Sequence, residues 1–161
     1  MPARPASSPD ITALAHELLD VTMRLNRLVA AEVRRSHPQL VPGQLGILFR
    51  LLLAPATVSD LARYLGVSLP TISKSLGVLV QRGWIERWVD AANRRQTIVR
   101  LTPLGRRVTA SMRRQVERYV AAHVCSLADD RRGHLRDTLE SLSTMFPAPS
   151  CAQRGGGPSK K

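Results

Sequence analysis

The chain has 161 residues, two cysteines and a formal net charge of +12. This length suits one globular domain that buries a core without disulfides or metal. Because the chain has no apolar run of about 18 residues, we expect no membrane-spanning helix. Cys125 and Cys151 form no C-x-x-C pair, so the sequence predicts neither a disulfide framework nor a thiolate zinc site, and we expect no cofactor.

The first predicted element is a long amphipathic helix over residues 10–36. Residues 1–9 are rich in Pro, Ala and Ser, so we expect a disordered arm, and they lack the apolar core of a signal peptide, which favours a cytoplasmic protein. Asp10 is placed to cap the helix, and His37-Pro38 ends it. Apolar residues recur every three or four positions and predict one buried stripe: Ile11, Leu14, Ala15, Leu18, Val21, Leu25, Leu28 and Val29.

The next elements have the spacing of a helix-turn-helix. A helix opens at Pro42 and stops at Ala54-Pro55. Thr57 to Asp60 resembles a capping box, and Gly66 is placed to end the short helix that follows. Ser68 then caps a helix from Leu69 to about Arg82. We expect its apolar face to pack on the preceding helix through Ile72, Leu76, Leu79 and Val80.

A small hairpin and two further helices complete the chain. Trp84 to Val89 and Gln96 to Leu101 are predicted as strands around a polar tip, so residues 42–102 form a winged helix-turn-helix within a mainly α fold. Residues 103–146 hold two helices, one capped by Thr102 and one from about Asp130 to Phe146, and residues 147–161 are predicted to be a disordered tail. The expected buried positions of the two helices are Val108, Met112, Val116, Tyr119, Val120, His123, Leu127, Leu135, Leu139, Leu142 and Met145.

Positive charge is concentrated in the predicted module. Residues 61–107 carry nine basic and two acidic side chains, a net of +7 out of +12, which indicates a polyanionic partner. In a helix-turn-helix, the start of the second helix reads base edges in the major groove. That position predicts contacts from Ser68, Pro70, Thr71, Ser73, Lys74 and Ser75.

The wing supplies the second predicted contact surface. Arg94 and Arg95 lie at its tip, where arginine suits the negative potential of a narrow minor groove. Arg87 and Arg100 lie on its strands, where they are predicted to hold phosphates and fix the register of the protein on the duplex.

The order of these elements and several short motifs resemble the MarR (multiple antibiotic resistance regulator) family between Gln44 and Gly105. The resemblance implies a homodimer whose first and last helices interlock, a pseudo-palindromic double-stranded operator, and commonly repression relieved by a small-molecule effector. The family usually has Asp where this chain has Asn93; that Asp orients a wing arginine, and here we favour Arg95 for the minor groove. The matching motifs are TVSDLA at 57–62, LGVS at 65–68, TISK at 71–74, RGWIER at 82–87, NRR at 93–95 and LTPLG at 101–105.

Other functions remain as alternatives. A metal-responsive regulator of the same fold would use His16, His123 or Cys125, although their spacing matches no ligand motif; we expect Cys125 to be a buried structural thiol. A winged helix that binds DNA without sequence preference, or that binds protein, is a further alternative. An enzyme is not expected, because the sequence has no Gly-rich phosphate loop, no H-E-x-x-H and no recognisable nucleophile motif.

Overall fold

The computed structural model describes residues 10–89 and 97–147. This part of the chain contains six helices and three short strands. In chain order they are α1 (Ile11–Ser36), α2 (Pro42–Leu53), β1 (Ala56–Thr57), α3 (Val58–Leu65), α4 (Leu69–Gln81), β2 (Ile85–Val89), β3 (Thr97–Leu101), α5 (Pro103–Val124) and α6 (Asp129–Met145).

The helix ends follow the capping residues that the sequence predicts. The Asp10 carboxylate accepts a hydrogen bond from the Thr12 N–H, and the hydroxyls of Thr57, Ser68 and Thr102 each accept one from the N–H three residues later. These bonds satisfy N–H groups that have no partner inside the helix. Gly66 ends α3 with a φ of +65°, a conformation that disfavours any residue with a Cβ. The predicted helix starts and ends lie within one residue of those observed, except at the end of α5, which stops at Val124 although its predicted stripe runs to Leu127.

The sheet is antiparallel with strand order β1-β3-β2. β2 and β3 form the predicted hairpin, in which Ile85 is opposite Leu101 and Val89 is opposite Thr97. The sequence analysis did not predict β1, where Ala56 and Thr57 pair with Val99 and Ile98. This strand hydrogen-bonds the α2–α3 connection to the wing, so the helices and the hairpin share one sheet.

One hydrophobic core lies inside the helix-turn-helix and wing. Its fully buried side chains come from α2, α3, α4, the sheet and the first half of α5, with Val33 contributed by α1. The largest are Ile47, Leu48, Leu51, Leu61, Ile72, Leu76, Leu79, Ile85, Val99 and Met112. This core fixes the relative positions of the helices and the wing.

The predicted burial of the α1 stripe is wrong for the single chain. Six of its eight apolar residues are exposed, Leu14 among them at 50%, and Leu18 and Val29 are half-buried. The apolar stripe is present on α1, but within one chain the helix packs mainly against α5, and its buried residue Val33 lies in its last turn. The exposed members are Ile11, Leu14, Ala15, Val21, Leu25 and Leu28.

Three further burial predictions also need correction. Val80 is 40% exposed and does not complete the packed face of α4. On α5 the predicted stripe is covered near Met112, whereas His123 and Leu127 are exposed, and Cys125 is an exposed thiol and not a buried one. On α6, Leu139 is 54% exposed and Met145 is also exposed.

Several predictions lie outside the described residues. They are the arm at 1–9, the tail from 148 onward, and the wing tip with Asn93, Arg94 and Arg95. Among the helices of the described ranges, none is both long and apolar enough to cross a membrane.

Candidate nucleic-acid interface

Helix α4 has one buried face and one polar, exposed face. Ile72, Leu76 and Leu79 are fully buried and hold the helix against the core. The predicted base-reading side chains lie together on the other side of its first two turns. Ser68, Pro70, Thr71, Ser73 and Lys74 are exposed and Ser75 is half-buried.

The start of α4 is ordered by its cap. The Ser68 Oγ lies 2.9 Å from the Thr71 Oγ1 and accepts from the Thr71 N–H at 3.4 Å. These two hydroxyls are therefore organised before any ligand arrives. Pro70 has no N–H, and the N–H groups of Thr71 and Ile72 are bonded to the Ser68 hydroxyl and carbonyl, so side chains are the main polar groups at this helix start.

Helix α3 is fixed by a second polar cap. The Thr57 Oγ1 donates to the Asp60 carboxylate at 2.8 Å and accepts from the Asp60 N–H at 3.1 Å. Asp60 thus reaches back to the hydroxyl of the capping residue and not to its backbone N–H, and it also forms an ion pair with Arg63 at 3.1 Å. The glycine turn at Gly66 then sets the direction of α4.

The two wing arginines predicted to bind phosphate lie on opposite faces of the hairpin. Arg87 is opposite Val99 in the β2–β3 register, on the face that covers the core, while Arg100 is opposite Glu86 on the outer face. The Arg87 Nη2 donates to the Ser73 carbonyl oxygen of α4 at 3.2 Å. Only Arg87 therefore lies beside the exposed face of α4.

Arg100 has two partners on the outer face of the wing. Its guanidinium forms an ion pair with Glu86, and its Cζ lies 4.5 Å from the centre of the Trp88 ring. Cation–π contact and ion pairing together restrict this side chain. Trp88 is half-buried beneath it, and Trp84 is buried at the base of the wing.

The base of the wing and the start of α5 form a close joint. The Trp84 carbonyl accepts from the Thr102 N–H at 3.0 Å, and the Thr102 hydroxyl donates to the Gly83 carbonyl at 2.6 Å. A Cβ at Gly105 would overlap the Trp84 carbonyl. The glycine of the LTPLG motif is therefore required for close approach and is a signal that the sequence analysis did not interpret.

A partly buried polar network joins the end of α1 to α5. The Gln115 amide donates to the Glu32 carbonyl oxygen at 2.9 Å and to the Glu32 carboxylate at 3.1 Å, and its oxygen accepts from the Ser36 hydroxyl at 2.8 Å. Glu32 also forms an ion pair with Arg35 at 3.0 Å. Sequence reasoning missed Gln115, because a single polar residue on a helix has no recognisable spacing.

A shallow, open pocket lies between the end of α1 and the start of α2. The lining is apolar apart from Arg34 and comprises Ala30, Val33, Arg34, Leu40, Val41, Pro42 and Leu45.

The described residues offer no metal site. Within residues 10–89 and 97–147, no three His, Cys, Asp or Glu side chains come together in a geometry that could hold a metal ion. His16, His123 and Cys125, the predicted ligands of the metal-responsive alternative, therefore form no such group in this part of the chain.

Comparison with known proteins supports the resemblance. A model of the MarR family matches residues 39–96, which run from the start of α2 through the wing tip. No curated protein sequence matches the chain.

Solved structures match over most of the chain. RV1404 from Mycobacterium tuberculosis superposes with a TM-score of 0.77 at 21% identity, covering 90% of this chain and 99% of the other. The apo form of wild-type MarR from E. coli gives 0.70 at 22%, covering 85% and 98%. FabT from Streptococcus pneumoniae, in complex with DNA, gives 0.69 at 21%, covering 84% and 96%.

These matches confirm two predictions. The family match confirms the resemblance of the central module, and the superpositions confirm the winged helix-turn-helix flanked by long helices. At these identities the structural likeness establishes the fold.

Proposed function

We propose that this chain, which has the MarR-type fold and the MarR-family sequence pattern over residues 39–96, is a sequence-specific regulator that binds double-stranded DNA in the cytoplasm. We further propose that it is a homodimeric repressor released by a small-molecule ligand. The proposal assigns major-groove reading to the exposed face of α4, minor-groove contact to Asn93, Arg94 and Arg95, and phosphate contact to Arg100 on the wing.

One observation carries the DNA-binding proposal. The hydroxyls of Ser68 and Thr71, together with Ser73 and Lys74, are exposed on the first turns of α4, and the opposite face of that helix is locked into the core. Hydroxyls and an ammonium at a helix start can read base edges and hold phosphate. The net charge of +7 between residues 61 and 107 supplies the long-range attraction that such contacts need.

The exposed apolar residues of α1 and α6 support the homodimer. Ile11, Leu14, Leu139, Met145 and Phe146 lie on helices that protrude from the core, and all are at least half exposed. Large apolar side chains exposed along such helices suit an interface with another chain. A second copy would cover it and would place two winged modules side by side, as a pseudo-palindromic site requires.

The pocket beside Arg34 supports relief by an effector. It adjoins the helix that we assign to the dimer and the first helix of the DNA-binding module. A small anionic ligand bound there would contact both parts of the protein. Its affinity could then differ between two dimer geometries, which is the condition for an effector to shift binding.

DNA binding is tested by a mobility-shift assay with the DNA upstream of the gene. We expect a shift at low salt that weakens steeply as salt rises, because each neutralised phosphate releases counterions. Lys74→Ala is expected to weaken binding and relax base preference, and Arg95→Ala to weaken binding at either half-site. Equal affinity for unrelated duplexes would instead support a non-specific winged helix, and no shift at low salt would reject DNA binding altogether.

The homodimer is tested by light scattering after size-exclusion chromatography. The wild-type protein is expected to elute at twice the chain mass. Leu14→Asp places a charge in the exposed α1 stripe and is expected to give monomer, whereas Asp20→Asn, at an exposed α1 position, serves as the control. A monomeric wild-type protein at micromolar concentration would contradict the assignment.

A further inference from the structure

We propose that Arg87 is a specificity-determining positioning residue, which braces the wing against the DNA-reading helix and does not act chiefly through a phosphate. This inference rests on the proposed function, because it assumes that α4 reads bases. It changes the role of a residue for which sequence position alone suggested a backbone contact.

The first support is the placement of the Arg87 side chain. In the hairpin register, Arg87 is opposite Val99, which is fully buried, and it follows Ile85 by two residues on the same face. Side chains two apart on a strand lie on one face of the sheet. The Arg87 side chain therefore leaves β2 on the side where α4 packs, and its end remains exposed at the edge of the core.

The second support is the bond that Arg87 makes. Its Nη2 donates to the Ser73 carbonyl oxygen at 3.2 Å, across 14 residues of sequence. A carbonyl within a helix has a second lone pair beyond its helical bond, and a guanidinium is a charged, planar donor. The contact therefore needs no rearrangement of α4.

The position of Ser73 gives this bond its consequence. Its neighbours Ile72 and Lys74 lie on the buried and exposed faces of α4. Ile72, Leu76 and Leu79 restrain the helix from one side through apolar contacts, which are not directional. The Arg87 bond adds a directional restraint on the side that faces the DNA. It fixes the rotation of α4 about its own axis, and thereby the angle at which Thr71, Ser73 and Lys74 meet base edges.

The two roles of Arg87 predict different salt behaviour. A phosphate contact would lower the slope of log K against log salt by about 0.9 when it is lost, and would weaken binding to all duplexes alike. A brace carries no released counterion. Its loss leaves the slope unchanged and reduces the ratio of affinities for specific and unrelated DNA.

The experiment compares Arg87→Ala, Arg87→Lys and the control Arg118→Ala, on two probes. One probe is a duplex selected by the wild-type protein from a randomised library, and the other is a scrambled duplex of equal length. Arg118 is exposed on α5, on the side of that helix away from Met112. The substitution Arg118→Ala therefore removes the same charge as Arg87→Ala at a position away from α4. Kd is measured at four salt concentrations, and amide hydrogen exchange is measured in the DNA-free protein.

We expect Arg87→Ala to reduce the specific-to-scrambled affinity ratio by roughly tenfold, the equivalent of one charge-assisted hydrogen bond. The salt slope should match that of Arg118→Ala, and exchange should increase in α4 but not in α2. Arg87→Lys should keep the affinity for scrambled DNA and recover little of the ratio, because an ammonium does not reproduce the planar donor.

Two results would overturn the brace. One is that Arg87→Ala has a salt slope about 0.9 lower than that of Arg118→Ala, with an unchanged ratio of specific to scrambled affinity, and that Arg87→Lys restores the slope. The other is unaltered exchange in α4 of Arg87→Ala. Failure of the wild-type protein to select or bind any duplex would instead reject the proposed function, and the exchange measurement would still decide whether Arg87 restrains α4.

Discussion

Replacement of Gly105 by alanine should destabilise the protein, although helix propensity predicts the reverse. In an unobstructed helix, Gly→Ala stabilises by up to about 1 kcal/mol. At Gly105 the added Cβ would overlap the Trp84 carbonyl, which is backbone and cannot rotate away. The first turn of α5 and the start of the wing would have to separate.

The magnitude follows from the parts that move. Overpacking costs about 1–3 kcal/mol, and separation would weaken the 3.0 Å bond from the Thr102 N–H to the Trp84 carbonyl, a further cost of about 1 kcal/mol. Subtracting the gain in propensity leaves a net loss of about 1–3 kcal/mol in the free energy of unfolding. For a chain of this size, each kcal/mol lowers Tm by about 2–4 °C.

The assay is urea denaturation followed by far-ultraviolet circular dichroism, at one fixed protein concentration. Gly77→Ala is the matched control, because Gly77 lies within α4 and a Cβ there meets no atom within 4 Å. It is expected to stabilise by about 0.5–1 kcal/mol. If Gly105→Ala were as stable as the wild type while Gly77→Ala gained stability, the close joint between α5 and Trp84 would be refuted.

Three further substitutions test contacts away from this joint. Gln115→Leu removes the partner of the Glu32 carboxylate and the Ser36 hydroxyl. It should lower the free energy of unfolding by about 1–3 kcal/mol, and Gln115→Glu should also be less stable than the wild type. A Gln115→Leu variant as stable as the wild type would contradict the network. Thr109→Val should leave stability unchanged or raise it by up to about 1 kcal/mol, because within the described residues the fully buried Thr109 hydroxyl has no hydrogen-bond partner. A loss of stability in the same denaturation assay would show that this hydroxyl does form a hydrogen bond. Arg100→Ala should cost less than about 1 kcal/mol, because its ion pair with Glu86 is about half exposed, and a larger loss on thermal melting would show that the outer face of the wing is better ordered than its exposure indicates.

The sequence predicted the helices and their limits because those limits depend on local chemistry. Asp10, Ser68 and Thr102 cap helices through their own side chains, and Gly66 ends one through its own backbone. None of these needs a distant partner. By contrast, β1 is two residues long and exists only because Ala56 and Thr57 meet β3, more than 40 positions away in sequence, so no local pattern could predict it.

Burial and the direction of side chains were harder to predict. The α1 periodicity identified an apolar face but not what covers it, so Leu14 was expected inside and lies outside. The opposite directions of Arg87 and Arg100 were within reach of the sequence. Arg87 follows Ile85 by two residues, and Arg100 lies between Val99 and Leu101, so strand alternation places only Arg87 on the core face. The joint at Gly105 was missed because a glycine in a first helical turn has many explanations.

The joint between α5 and the wing also has a geometric consequence. Helix α5 has 22 residues and is therefore about 33 Å long. The joint at Trp84 and Gly105 makes its first turn and the wing a single rigid piece. A tilt of the helix about its far end, at Val124, would therefore move the wing with it. A tilt of about 5° there would carry the wing through about 3 Å, close to the rise of one base pair, so the angle at which two copies meet would set the half-site spacing that the dimer accepts.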